Sequence, residues 1–450
     1  MSERHCHFIS LFYLTTPESS FFLYIQNAIL IKNGTLCTSE MCTKADILIE
    51  DGKIAKIAEG IDSPEAEIID ASGRLVTYGL ADVHVHFRVP GRPDKETIAT
   101  GSAAAAHGGY TCVCPMPNLS PAPDSPEHLE EELRLIREEA LVDVRPYATI
   151  TKERKGFETV DVKTLKGSVC GFSDDGSGVQ YEDVMKTAMQ RIAAEDCILA
   201  AHCEDNSLLE GGYIHKGRYA EAHGHKGICS RSEWGPIERD CVLAEQTGCA
   251  YHVCHVSTKE SVEVIRQAKA RGVNVTCETG PHYLTMCEED LQEDGRFKMN
   301  PPLRGAEDRE ALLRGICDGT VDMIATDHAP HTAEEKARGL QGSAMGVVGL
   351  ETAFAVVYTG LVKKGVISFN KMVELMSEAP RKRFRLGGAL EEGQSADIAV
   401  WDIDTPYTIE PDNFLSKGRA TPFAGWKVYG KCLLTLYKGR TVWKEKQENN

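Results

Sequence analysis

The amino-acid sequence predicts an α/β fold: a (β/α)₈ TIM barrel carrying a small β-sandwich domain formed by both chain ends. Three observations predict it. The middle of the chain alternates eight short apolar strands with helical stretches over roughly 250 residues, as eight βα units require. The two ends are hairpin-rich β segments instead. Metal-ligand side chains recur at the carboxyl ends of the same eight strands, where barrels of this kind build their active sites.

Taken in order, residues 1–23 read as a disordered extension of the kind an upstream start codon would add. Their apolar run is broken by Ser10, and no small-residue cleavage site follows it. Residues 24–74 supply the first part of the sandwich, with strands at 25–32, 45–50 and 53–57 and the turn Asp51-Gly52. The barrel is expected over residues 75–385, its strands at 75–86, 111–117, 144–150, 169–175, 198–204, 251–257, 273–278 and 323–328. Helices fill the gaps at 125–140, 181–195, 259–271 and 308–317, the first announced by the cap and first turn Ser125-Pro126. Residues 386–444 return to β patterning and complete the sandwich, and 445–450 form a polar tail.

Composition narrows the function. Acids outnumber bases, 67 to 50, for a net charge of −17, and no Lys/Arg cluster is placed to neutralise several phosphates, which argues against a nucleic-acid partner. No run of 18 apolar residues occurs, so a membrane partner is not expected either. Sixteen cysteines are too few for a disulfide scaffold, and several, such as Cys112, Cys114 and Cys254, sit in apolar runs. They read as reduced, buried thiols of a cytoplasmic protein.

The chemistry gathers at strand ends. Strand alternation places Asp82, His84, His86 and Arg88 on one face of the first barrel strand and Val83, Val85 and Phe87 on the other. His-x-His alone is weak evidence. However, Asp174-Asp175, His202, His255 and Asp327 end the fourth, fifth, sixth and eighth strands. Four imidazoles and two carboxylates suffice for two divalent ions bridged by a carboxylate and a hydroxide, and nitrogen and oxygen donors favour Zn²⁺ over Mn²⁺ or Co²⁺. Parity allows only one of Asp174 and Asp175 to reach the ions and turns Cys203 towards the helices. Asp82 is expected to hold an imidazole or the barrel floor. His107, His128, His215, His223, His225, His252 and His282 lie in helices, in loops or on the opposite parity and read as non-ligands. Arg88, Asn118, Asn300 and His331 form a candidate clamp for an anion and an amide.

Together these strings resemble a known family. His84-Val-His-Phe-Arg88 with Pro90-Gly91, Met116-Pro-Asn118, Phe172-Ser-Asp-Asp-Gly176, Ala201-His-Cys-Glu-Asp-Asn206, His252-Val-Cys-His-Val-Ser257, Lys298-Met-Asn-Pro-Pro-Leu-Arg304 and Asp327-His-Ala-Pro-His331 look like a bacterial dihydroorotase of the amidohydrolase superfamily, from about residue 24 to 444. The resemblance implies a metal-dependent cyclic amide hydrolase with two zinc ions. It assigns His84 and His86 to one ion, His202 and His255 to the other, Asp175 as the bridge, and Asp327 as both ligand of the first ion and proton shuttle. It also assigns Arg88, Asn118 and His331 to the substrate carboxylate and Asn300 to the pyrimidine ring. The implied reaction is the reversible cyclisation of N-carbamoyl-L-aspartate to L-dihydroorotate by a zinc-bridged hydroxide. A homodimer and an association with aspartate transcarbamoylase are further expectations of the resemblance.

Hydantoinases, dihydropyrimidinases, allantoinases and some dihydroorotases share the superfamily but carry a carbamylated Lys at the bridge, and this strand has no Lys. An inactive barrel scaffolding aspartate transcarbamoylase would have lost ligands, and this chain keeps all six. Val89 stands where the family usually has an acid, and Ala344-Met345 where Pro-Phe is common. Both flank substrate loops and bear on affinity rather than on reaction type.

Overall fold

The computed structural model describes residues 28–446; the expected extension at 1–23 and most of the expected tail lie outside them. Eight parallel strands close into a barrel. One hydrogen-bonded run orders Leu80–Val85, Tyr110–Pro115 and Asp143–Val144; the other orders Tyr147–Ala148, Gly171–Phe172, Ile198–Ala201, Ala250–Val253, Val275–Thr279 and Met323–Ile324. The third strand is thus two short pieces interrupted at Arg145-Pro146, because proline has no N–H for the ladder. A parallel bridge from Val85 to His328 closes the ring.

Both chain ends meet in a single eight-stranded sheet. Its order is Arg440–Lys444, Lys431–Tyr437, Ile398–Asp402, Leu75–Tyr78, Ile29–Cys37, Cys42–Glu50 and Lys53–Ala58, with Glu67–Asp70 also paired to Ile29–Cys37. Lys53 of one edge strand bridges Ser395, just before Ile398–Asp402, and the sheet packs a core of Ile31, Ile47, Ile54, Val76, Ile398, Val400 and Leu436. The segment 75–86 therefore divides: Leu75–Tyr78 belongs to this sheet, and the barrel strand begins at Leu80. Trp401 joins the two bodies, stacking on Phe354 at 3.5 Å and donating its indole N–H to Thr77 Oγ1.

Expecting reduced thiols throughout was wrong for one pair. Cys37 and Cys42 face each other in antiparallel register, 4.2 Å between Cα atoms, and are joined as a disulfide. The reading from sequence ended the first strand at residue 32, so it missed that the hairpin sets these two thiols opposite each other. The thirteen other described cysteines are free, and only Cys317 is exposed.

Phe87 carries packing into the site, because it lies between His86 and Arg88 with its ring on the helix Ile98–His107. Gly101 of that helix makes room: a Cβ there would stand 2.5 Å from the ring. Gly101→Ala should therefore lose about 1–3 kcal/mol through overpacking, offset in part by the ~1 kcal/mol gain in helix propensity. Denaturant titration should show a lower midpoint, and metal affinity should fall with it as Phe87 shifts its neighbours; a higher midpoint would contradict this packing account.

Candidate metal centre and substrate clamp

The six expected ligands come together at the carboxyl ends of the barrel strands, and all are buried. His84 Nε2 lies 3.3 Å from Asp175 Oδ1 and 3.5 Å from Asp327 Oδ1. His86 Nε2 lies 3.1 Å from Asp327 Oδ1 and 3.5 Å from Asp175 Oδ2. On the other side, His255 Nε2 is 3.3 Å and His202 Nδ1 3.7 Å from Asp175 Oδ1. Asp175 thus lies within reach of all four imidazoles, its Oδ1 shared by His84, His202 and His255 and its Oδ2 facing His86. Among the described residues three three-residue groups are close enough to hold a cation: His84/His86/Asp327, His84/Asp175/His255 and, behind them, His84/Cys254/Glu278.

The donor set fits a cation on its own terms. His84 Nε2 and Asp175 Oδ1 face each other, buried and without a hydrogen-bond partner, which costs free energy unless a positive charge satisfies them. Burial opposes ionisation of Asp175 and Asp327, but the surrounding imidazoles outweigh it and hold both carboxyls below their usual range. His202 Nδ1 and His255 Nε2 approach within 2.9 Å, so two lone pairs converge unless a proton or a cation lies between them.

Other groups orient these ligands. Asp82 accepts from the backbone N–H groups of His84 and Thr326, tying the first strand to the eighth across the barrel floor. Asp174 turns away to Thr151 and to the backbone N–H groups of Ile150 and Thr151, leaving Asp175 alone in the cluster. Cys203 is buried beside Tyr251, its Sγ 3.2 Å from the hydroxyl. Arg88, His255 and Asp327 have left-handed backbones, with φ of 64°, 35° and 48°. For non-glycine residues this conformation costs of order 1–3 kcal/mol and clusters at functional sites. Strand alternation thus does not carry Arg88 to the site: the strand stops at Val85, and a left-handed turn takes over.

Two carboxylates escaped the reading from sequence. Glu278 accepts from His84 Nδ1–H at 2.6 Å and from His252 Nε2–H at 3.2 Å, so one imidazole read as a non-ligand supports the centre through it. Glu204 lies 3.5 Å from His202 Nε2 and accepts from Asn300 Nδ2 at 2.9 Å. Their signal was present, an acid two residues from a strand-end histidine and another at the end of the seventh strand, but nothing in one sequence shows which acids turn inward. Asn118 accepts from His86 Nδ1–H at 2.9 Å. Burial pulls the Arg88 guanidinium down to about 10, so it stays cationic at neutral pH; its Nε–H donates to Pro330 O, and Nη2 lies 3.5 Å from His331 Nε2.

Comparison with known proteins agrees with this arrangement. A family profile described as "Dihydro-orotase-like" matches residues 73–261. Dihydroorotase from Bacillus cytotoxicus is 51% identical over 420 residues, spanning 92% of this chain and 98% of that protein; dihydroorotase from Bacillus cereus is 50% identical over the same spans. The chain belongs to the dihydroorotase family. Among solved structures, L-hydantoinase (dihydropyrimidinase) from Arthrobacter aurescens superposes with a TM-score of 0.85 at 28% identity, covering 94% of this chain and 97% of that one. Dihydropyrimidinase from Brevibacillus agri superposes at 0.82 with 23% identity, covering 93% and 96%. The family's barrel is thus shared with hydantoin-cleaving enzymes, and the side chains must decide the chemistry.

Glu278 gives a direct test. By accepting the Nδ1 proton it leaves His84 Nε2 free to bind a cation. Glu278→Gln should keep the fold and weaken metal affinity about 10- to 100-fold, read by competition with a chelator; unchanged affinity would remove Glu278 from the site.

Proposed function

We propose that the protein is a dihydroorotase, interconverting N-carbamoyl-L-aspartate and L-dihydroorotate for de novo pyrimidine synthesis in the cytoplasm. The observation that carries the reading is the pairing of a carboxylate bridge, Asp175, with Arg88 and His331 beside the same centre. A cyclic amide bearing a carboxylate needs that cation, whereas a plain hydantoin or dihydropyrimidine does not. His84, His86, Asp175, His202, His255 and Asp327 would hold two zinc ions. When bound there, zinc supplies a Lewis acid for the scissile carbonyl and lowers the pKa of water towards ~7.

The chain's own residues do the rest. Arg88 forms charge-assisted hydrogen bonds to the substrate carboxylate, and His331 donates a neutral one. Asn118 has its oxygen engaged by His86 and offers its amide N–H₂ to the same carboxylate. Asn300, steadied by Glu204, hydrogen-bonds the ring amide. Asp327 is an ionised carboxylate in the unliganded site. It takes a proton from the attacking water and delivers it to the ring nitrogen as the C–N bond breaks, acting as general base and then general acid. Ring closure runs the same steps backwards.

Elemental analysis after zinc-replete expression should find about two ions per chain, and Asp175→Ala should lower occupancy of both positions together. One ion in the parent would overturn the binuclear reading. Arg88→Lys keeps charge but loses the planar fork. It should cost roughly 10- to 150-fold in kcat/KM for dihydroorotate with metal content unchanged. Turnover equal to the parent, or faster turnover of hydantoin than of dihydroorotate, would favour a different cyclic amide.

A further inference from the structure

His331 ends the loop that begins at Asp327, and its ring is contested by opposite charges. Lys95 Nζ lies 3.0 Å from Nδ1 and hydrogen-bonds it. An ammonium can only donate, so Nδ1 is the acceptor and the ring proton sits on Nε2. The other side agrees: Nε2 lies 2.8 Å from the carbonyl oxygen of Met345, which can only accept. The ring is neutral, because burial and the neighbouring cations Arg88 and Lys95 push its pKa down to about 3.

Glu335 pulls the other way. Its Oε2 stands 3.4 Å from Nδ1 without bonding it and accepts the backbone N–H of Thr332 instead, while its Oε1 pairs with Lys95 at 3.0 Å and Arg92 at 3.2 Å. Without the ammonium, this carboxylate would draw the imidazole proton to Nδ1, and Nε2 would present a lone pair to Arg88 and to any carboxylate held there. Lys95 is buried, and its ion pair with Glu335 leaves it little spare charge for a ligand. The next residue strengthens the geometry. Glu96 accepts from His328 Nε2–H at 3.2 Å and bonds Thr100 and Ser416, so consecutive residues grip both ends of the loop from Asp327 to His331.

We propose that Lys95 is a positioning residue that fixes the tautomer of His331, keeping on Nε2 the proton that the Met345 carbonyl accepts in this structure and that the substrate carboxylate takes over when it binds. The proposal rests on the dihydroorotase reading of His331, and the experiment separates the two.

Holoenzyme labelled with ¹⁵N-histidine, with His331 assigned by its absence in His331→Ala, reports which ring nitrogen carries the proton. The parent should show the Nε2–H tautomer. Lys95→Met should move the proton to Nδ1 and raise KM for dihydroorotate about 10-fold with kcat little changed, and Lys95→Arg, which keeps a donor, should restore both. In a His331→Ala background the Lys95→Met effect on KM should disappear. If Lys95→Met keeps the Nε2–H tautomer, or if its loss of affinity adds to that of His331→Ala and follows a fall in melting temperature, Lys95 is merely structural and the proposal is overturned. If His331→Ala leaves KM unchanged, the carboxylate clamp itself fails, whatever the tautomer of the parent ring.

Discussion

Two ionised carboxylates buried among four imidazoles are the constraint around which this barrel is arranged. Asp175 and Asp327 cannot remain charged inside a protein without compensation, and each imidazole offers that compensation only if its nitrogens are assigned. Two of the four have the far nitrogen hydrogen-bonded by an outer group, and a third has a carboxylate nearby. His84 Nδ1 is held by Glu278, His86 Nδ1 by Asn118, and His202 Nε2 stands against Glu204. The surrounding carboxylates and amide thus choose the tautomers, and the chosen tautomers aim lone pairs at the centre. Loss of any outer group is felt as a misdirected proton rather than as a missing ligand.

The centre also explains why the two chain ends must fold beside the barrel. Glu96 binds Ser416 and the backbone N–H of Lys417, and the same carboxylate holds His328, whose carbonyl accepts the backbone N–H of His86. A path of hydrogen bonds therefore runs from the carboxyl-terminal segment to a ligand of the centre. Trp401, locked on Phe354 and Thr77, fixes the sheet whose strands Ile398–Asp402 and Lys431–Tyr437 flank this segment in sequence.

Much of this was legible in the sequence, and the rest was hidden for identifiable reasons. The eight strands announce themselves because parallel barrel strands are buried on both faces and read as apolar runs. The six candidate ligands stand out because polar residues that end such runs need a purpose. Arg88 was placed correctly by a parity argument whose premise fails, since the strand ends at Val85 and a positive φ does the aiming. Glu278 and His252 were passed over because a carboxylate inside an apolar strand reveals its partner only in three dimensions. The Cys37–Cys42 pair was missed because two residues on neighbouring strands face each other only once the hairpin register is known.

The bridging position joins these points. A carbamylated lysine is long and can reach the centre from a regular strand, but aspartate is short, so the backbone must come to it. The fourth strand is regular only at Gly171–Phe172. Beyond it, Ser173 N–H still bonds Ala148 O, and Asp174 is pinned by the third-strand loop through Thr151 and Ile150. Arg154 donates to the carbonyl of Asp175 at 2.7 Å. These anchors hold the segment against the third strand and set the Asp175 carboxylate between the two histidine pairs. The first aspartate of Asp174-Asp175 thus acts on the backbone and leaves the second to face the imidazoles.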